Sequence, residues 1–339
     1  MNKLYLNFYQ FVIEISCGSQ RVLELLKKDF AYFVSAPETP LLKIEAKIES
    51  DLSDKIPAGL LAKRQNIRAM SFEQGSVRYN DFYGKAVSII DYSSNEMLVH
   101  AQDENILHEI LYLAVLSRET KWHDSRGLHK VHAFGVGKGD TALLGMMNMK
   151  GGKTTLFSYF IDVEGYELVS DDTPLVNWKG EVFPFPIRIG FELNSHTRER
   201  LEKYRDKSYR FEREEYGPKD LISLSEFKNP VASKKKKVIL FQGVRVNGIN
   251  SAEIVKVTRY KMLKYLIKNM VIGVGLPMVL EYYLESSWKD RFRNIKVLLL
   301  RSAAALALLS NARCYEVRMG EDPKENFKRV KALLDNYEK

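Results

Sequence analysis

Apolar and polar positions repeat with two periods along this chain, and the change from one period to the other marks its elements. Leu4 to Ile15 has strand character, Ser19 to Phe33 carries Val22, Leu23, Leu25, Leu26 and Phe30 at helical spacing, and Leu42 to Ile48 alternates as a strand. Val77 to Val99 predicts two or three more strands around turns. Glu104 to Thr120 predicts a helix, with Ile106, Leu107, Ile110, Leu111, Leu113, Ala114 and Leu116 on its apolar side. Polar Lys121 to Gly127 then reads as a link. Strands and helices alternate from there to the end, and polar Asn194 to Asn229 is the least regular stretch. The pattern predicts an N-terminal α+β domain over 1–124 and a larger α/β domain over 125–339, with no internal repeat.

Composition narrows the class. At 339 residues, 45% hydrophobic and 28% charged, the chain is long enough for two domains with proper cores and ordinary for a globular protein. Cys17 and Cys314 lie far apart with no metal or pairing spacing, which points to a reducing compartment. Met1 to Ser16 lacks the layout of a signal peptide, so the expected location is cytoplasmic. The longest apolar stretches, Tyr265 to Leu284 and Val297 to Leu309, are broken by Lys268, Glu281 and Arg301 and predict buried amphipathic helices, so no membrane is expected. Net charge is +9, densest at Lys234 to Lys237 ahead of the apolar strand Val238 to Phe241. That run suits a solvated loop guarding a strand, or an acidic partner such as nucleic acid.

Candidate chemistry concentrates in one place. The apolar run Leu143 to Met147 feeds a short loop that closes in Gly151-Gly152-Lys153-Thr154-Thr155 and opens a helix reaching Phe160. Strand, glycine loop and helix start are the parts of a phosphate-binding loop: backbone N–H groups face the anion, Lys153 adds a point charge, and Thr154 offers a hydroxyl to Mg²⁺. The strict pattern asks for glycine at 147 and finds Met147, with Gly145 two positions early. Lys150 either adds a second cation at the phosphates or marks a loop that has lost activity. Downstream, Gly165 to Ser170 reads as a turn and then a strand running into Asp171-Asp172, where one carboxylate can hold Mg²⁺ and the other accept a proton from a hydroxyl. No zinc-type spacing and no nucleophile elbow occurs.

These residues, in this order, resemble the HPr kinase/phosphorylase-like kinases, which share a core with the phosphoenolpyruvate carboxykinases. The resemblance covers roughly 125 to 335. Leu128-His129-Lys130-Val131-His132 is similar to the family's histidine-bearing strand, and Gly151 to Thr155 to the end of its phosphate loop. Leu168 to Asp172 resembles its strand with paired acids, Pro184 to Arg188 its Pro-rich segment, and Cys314 to Val317 with Asp322-Pro323 its closing strand and helix. The resemblance implies a P-loop kinase core behind the α+β domain, ATP and Mg²⁺ as cofactors, a serine hydroxyl in a protein, peptide or small molecule as acceptor, and a homo-oligomeric assembly.

On that footing Asp171 is the expected base and Asp172, with Thr154, the expected metal side, with the two acids open to exchange. Lys150, Gly151, Gly152, Lys153, Thr154 and Thr155 form the expected nucleotide site. His132 falls where the family places a histidine near the reacting groups; His129 suits shorter relatives, and on a strand only one of the two reaches the pocket. Rival classes are a nucleotide-binding regulatory module without catalysis and a nucleic-acid-directed P-loop enzyme.

Overall fold

The computed structural model describes residues 2–148, 151–191, 200–212, 217–276 and 288–337. Strands β1 (Asn2–Phe8), β2 (Phe11–Cys17), β3 (Leu42–Ile48), β4 (Arg64–Gln65), β5 (Met70–Gln74), β6 (Val77–Asp81), β7 (Ala86–Asp91) and β8 (Glu96–Ala101) build the first sheet. Their spatial order is β1-β2-β3-β8-β7-β6-β5-β4. The strand-like run from Leu4 to Ile15 is a hairpin turning at Tyr9 and Gln10, both at positive φ. β2, β3 and β8 run parallel, so their connections must cross over. Helix α1 (Gln20–Asp29) provides the first crossover, with the Ser19 hydroxyl accepting from the Val22 N–H at its start.

Helix α2 (Glu104–Ser125) starts on Asp103, whose carboxylate accepts from the N–H groups of Asn105 and Ile106. It does not stop at Thr120. The expected polar link is its last turn, because Glu119, Thr120, His123 and Asp124 are buried with partners instead of being solvated. The N-terminal core under α1 and α2 also takes in Leu175, Phe185 and Ile187 from the second half of the chain.

The second half contains β9 (Leu128–Lys130), β10 (Phe134–Lys138), β11 (Thr141–Met147), helix α3 (Lys153–Phe160), β12 (Glu167–Ser170), β13 (Leu175–Asn177) and β14 (Val182–Phe183). It continues with β15 (Ile189–Phe191), β16 (Tyr209–Phe211), β17 (Lys219–Ile222), β18 (Lys237–Arg245), β19 (Glu253–Lys256) and helix α4 (Arg259–Leu266). A π-helical turn over Ile267–Ile272 extends α4, and α5 (Trp288–Asn311), β20 (Ala312–Met319) and α6 (Pro323–Tyr337) close the chain. The central sheet runs β12-β10-β11-β18-β20-β19. β10 is antiparallel to both β11 and β12, while β11, β18 and β20 are mutually parallel. β12, β11, β18 and β20 therefore all end on one edge. Leu156, Phe157 and Phe160 of α3 and Val330 and Leu334 of α6 pack on one face of this sheet; Met262 and Leu266 of α4 and Ala304, Ala305 and Leu308 of α5 pack on the other. The protein is a mixed α/β fold of several sheets.

The lysine run is mostly absorbed by the fold. Lys235 is buried, donates to the Gly139 carbonyl at 2.6 Å and pairs with Glu167, while Lys234 pairs with Glu181 at 3.1 Å. It lies at the start of β18, at the sheet end away from the shared strand termini. Of the irregular stretch from Asn194 to Asn229, the described residues include two 3₁₀ segments (Glu202–Lys207 and Leu224–Glu226) and strands β16 and β17, which form a separate three-stranded sheet with β15. Among the described residues no helix is long and apolar enough to cross a membrane.

Three buried ionic groups tie the halves together. Asp29 accepts from Arg188 and His108, both at 2.7 Å, and from the Tyr209 hydroxyl. Glu119 meets Lys130 and His123, whose second ring nitrogen reaches the Phe8 carbonyl at 2.9 Å. Asp124 receives Arg301 through two bonds, at 3.0 and 2.5 Å, and His129 at 2.7 Å. Burial alone would raise the Asp124 carboxyl, but the Arg301 charge and the His129 bond outweigh it and hold it down to about 2. Replacing Asp124 with Asn removes the carboxylate that accepts both bonds from the buried Arg301 guanidinium. Urea unfolding at neutral pH is expected to show a loss of about 3–5 kcal/mol, whereas a loss below about 1 kcal/mol would mean that solvent reaches this group.

Candidate functional site

The shared strand edge is where the sequence-nominated residues gather. β11 ends at Met147, and the chain turns through Asn148 and Gly151 before α3 begins. The Gly151 N–H donates to the Asn148 carbonyl at 2.9 Å. A Cβ on Gly151 would lie 2.8 Å from that carbonyl oxygen, so only glycine closes this corner. Gly152 caps the helix with φ of 96°, again a glycine conformation. The first turn of α3 holds Lys153, Thr154 and Thr155, and its N-terminal N–H groups open toward the strand edge where an anion is favoured. Lys150 lies outside the described residues.

Met147 has a packing explanation. Its register partner on β18 is Gly243, and a Cβ there would meet the Met147 Cγ at 2.8 Å. The missing side chain at 243 makes the space that Met147 fills, so Met147 is a core residue at a strand end. Gly145 is also a packing glycine: a Cβ on it would press into the Phe134 and Phe241 rings.

Asp171 and Asp172 follow β12 at the same edge, and the fold separates them. Asp171 is 9% exposed; its Oδ2 accepts from the Thr154 hydroxyl at 3.3 Å, and its Oδ1 has no hydrogen-bond partner among the described residues. Burial, and then the neighbouring Asp172 charge, push the Asp171 carboxyl up to about 7, against the pull of Lys219 and Lys153. The Asp172 side chain is 39% exposed and meets both basic groups: Lys153 Nζ lies 2.8 Å and His132 Nε2 3.3 Å from its Oδ1. Its burial pushes upward too, but the His132 bond and the Lys153 charge outweigh that and hold it below the usual carboxylate range.

His132 reaches this cluster from just beyond β9. Its Nε2 meets Lys153 Nζ directly, and its Nδ1 lies 2.8 Å from the Val274 carbonyl oxygen. That contact leaves Nδ1 as the donor and Nε2 as the acceptor when the ring is neutral. Gly275 packs against the ring so closely that a Cβ would lie 2.3 Å from its Cε1. The π-turn supports the arrangement, since the Asn269 carbonyl accepts from the His132 N–H at 2.9 Å. His129 is fully buried in the Asp124–Arg301 group, on the far side of the strand. Of the two histidines only His132 joins Lys153 and the acids.

Three further groups at this edge carry no signal in the sequence. Lys219 of β17 passes over Gly190, whose Cβ would lie 2.5 Å from the Lys219 Cε, and its charge is felt at Asp171. Lys268 of the π-turn donates to the Asn148 side chain at 3.0 Å, beside the loop. The Val274 carbonyl orients His132.

The donor set fits a magnesium nucleotide. The Thr154 hydroxyl and the part-exposed Asp172 carboxylate are hard oxygen donors, and Mg²⁺ takes its remaining ligands from phosphates and water. Among the described residues no group of three or more His, Cys, Asp or Glu side chains is placed to hold a metal by protein ligands alone. No family model and no curated protein matches the chain.

The split between the acids has a pH signature. An aspartate in the unfolded chain titrates near 3.9, so between pH 4 and 7 the folded protein holds a proton on Asp171 that the unfolded chain has lost. Folded stability from this residue therefore falls as pH rises through that window and levels off above it. Asp171→Asn removes the slope. Its stability relative to wild type is expected to be greater at pH 8 than at pH 5 by on the order of 2 kcal/mol, read by urea unfolding. The same relative stability at both pH values would place the Asp171 carboxyl at an ordinary value.

Proposed function

We propose that the chain is an ATP-dependent phosphotransferase, with a P-loop kinase core of the HPr kinase type, that moves the γ-phosphoryl group to a hydroxyl, most simply a serine. The observation that carries this reading is the buried Asp171 beside an ionised Asp172, both at the mouth of a glycine-cornered loop and helix start. A group that only bound nucleotide would have no use for a carboxyl poised near neutral pH. A general base is most effective when its pKa lies near the working pH.

In this reading Gly151, Gly152 and the first turn of α3 receive the β- and γ-phosphates. Lys153 exchanges its Asp172 partner for phosphate oxygens, a swap between two anionic acceptors. Asp172, released from Lys153, and the Thr154 hydroxyl would hold Mg²⁺, which neutralises phosphate charge. His132 stays hydrogen-bonded to the Val274 carbonyl and keeps Nε2 turned toward Lys153 and Asp172, restraining both. Asp171, whose Oδ2 already meets the Thr154 hydroxyl, would take the proton of the incoming hydroxyl. Positioning and charge do most of the work in such a transfer.

The decisive test pairs two variants. Lys153→Ala is expected to weaken Mg·ATP binding by on the order of 2 kcal/mol in calorimetry. Asp171→Asn is expected to bind Mg·ATP nearly as wild type does. With γ-labelled ATP and free serine, serine peptides or lysate as acceptor, it should transfer phosphate roughly 10²–10⁴-fold more slowly. If wild type binds ATP but labels no acceptor, the site is a nucleotide-gated binding module. If Asp172→Asn rather than Asp171→Asn spares binding and stops transfer, the base and metal roles are exchanged.

A further inference from the structure

Lysines recur at helical spacing along α4 and its π-turn, so that Lys261, Lys264 and Lys268 share one stripe. Two of the three are accounted for where they stand. Lys261 pairs with Glu316 at 2.6 Å, and Lys264 lies over the Tyr260 ring at 5.0 Å. Lys268 differs. Its backbone is pinned, because its carbonyl accepts from the N–H groups of Gly273 and Val274. Its side chain is exposed and ends on the neutral amide oxygen of Asn148 at 3.0 Å, and among the described residues no carboxylate pairs with it.

Asn148 is the first residue after β11, and its carbonyl accepts from Gly151 at the glycine corner of the loop. Lys268 therefore holds its charge at the entry of the loop, and Lys153 holds another at its exit. The start of α3 favours negative charge and disfavours positive. There Lys153 is offset by Asp172, and Lys268 has no such offset. The C-terminal end of α4 also favours a cation, but it would favour one pointing into solvent equally well and does not explain the turn onto Asn148. An anion in the loop explains both lysines. The wall that carries Lys268 also carries the Val274 carbonyl, which orients His132 toward Lys153 and Asp172. Of the phosphates in a bound triphosphate, the one nearest this wall and the acids is the terminal one.

We propose that Lys268 is a second phosphate-contacting lysine, which leaves the Asn148 amide for an oxygen of the terminal phosphate of a bound nucleoside triphosphate, opposite Lys153. The proposal rests on the nucleotide reading of the loop given above. The exchange replaces a neutral acceptor with an anionic one, which makes a shorter and stronger bond. Lys268 forms and breaks no bond to phosphorus; it supplies charge and position. A lysine reserved for the terminal phosphate lets the site tell a triphosphate from a diphosphate.

Calorimetry with Mg·ATP and with Mg·ADP on the full chain reads this contact without any phosphoryl transfer. Lys268→Gln, which can still bond to Asn148, is expected to lose about tenfold in ATP affinity while its ADP affinity stays within about twofold of wild type. Retained ADP binding also shows that the variant is folded. Lys268→Arg keeps the charge and should hold ATP within about threefold of wild type. Unchanged ATP affinity in Lys268→Gln would overturn the proposal and leave the loop reading standing. An equal loss for ATP and ADP, or an equal loss of ATP in both variants, would also overturn it, by making Lys268 an inner-phosphate or a packing residue. A wild type that binds neither nucleotide would overturn the loop reading and this proposal together. A wild type that binds ATP with the expected variant pattern but labels no acceptor would support the Lys268 contact and remove only the kinase reading.

Discussion

Two adjacent carboxylates at the end of a buried strand cannot both ionise cheaply, and much of this structure follows from how that conflict is resolved. Asp172 is given Lys153, His132 and some solvent, while Asp171 is given burial and one weak donor. Each acid then fixes the other: a charged Asp172 makes a charged Asp171 costlier, and a protonated Asp171 leaves Asp172 as the sole anion facing Lys153 and His132. The result is a pair of like residues with unlike electrostatics, the pattern by which one fold runs acid and base chemistry at neutral pH.

Keeping Asp172 charged depends on long-range structure. His132 can stand beside Lys153 only because the π-turn supplies the Asn269 and Val274 carbonyls and Gly275 leaves room for the ring. That turn is held in turn by Arg301, which donates to the Val271 carbonyl at 3.4 Å and binds Asp124 of α2. The chain of contacts from α2 through Arg301 to the π-turn and His132 is continuous, and it passes through a buried ion group that tolerates little displacement. The N-terminal sheet and helices thus share with the second half of the chain both a core, through Leu175, Phe185 and Ile187, and a set of buried charges, so the two halves are joined next to the site.

The sequence carried the local parts of this plan. Strand periodicity, the glycine corner at Gly151-Gly152, the helix after Lys153 and the acids after β12 are all set by residues within a few positions of one another, and each is found at the expected place. What it did not carry depends on distant partners. Lys121 to Gly127 reads as a polar link, yet Asp124 is buried because its counter-charge sits 177 residues away on α5. The choice between His129 and His132 rests on that same ion group and on a π-turn that no period announces. Met147 breaks the loop pattern on paper, and Gly243 on the neighbouring strand removes the difficulty. Lys219 lies beside Asp171 only because β17 pairs with β15.

The division of labour between the two acids is the claim on which the rest stands, and it can be read directly. Carboxyl-carbon NMR titration of the full chain, with Asp171→Asn used to assign the signal, follows the Asp171 proton as pH is raised from 3 to 9. The account requires the Asp171 signal to turn over at about 7 while Asp172 stays ionised throughout the upper range. A midpoint near 3.9 for Asp171 would contradict it, because two ordinary, independently ionised aspartates would leave the proposed phosphoryl transfer without a base tuned to neutral pH.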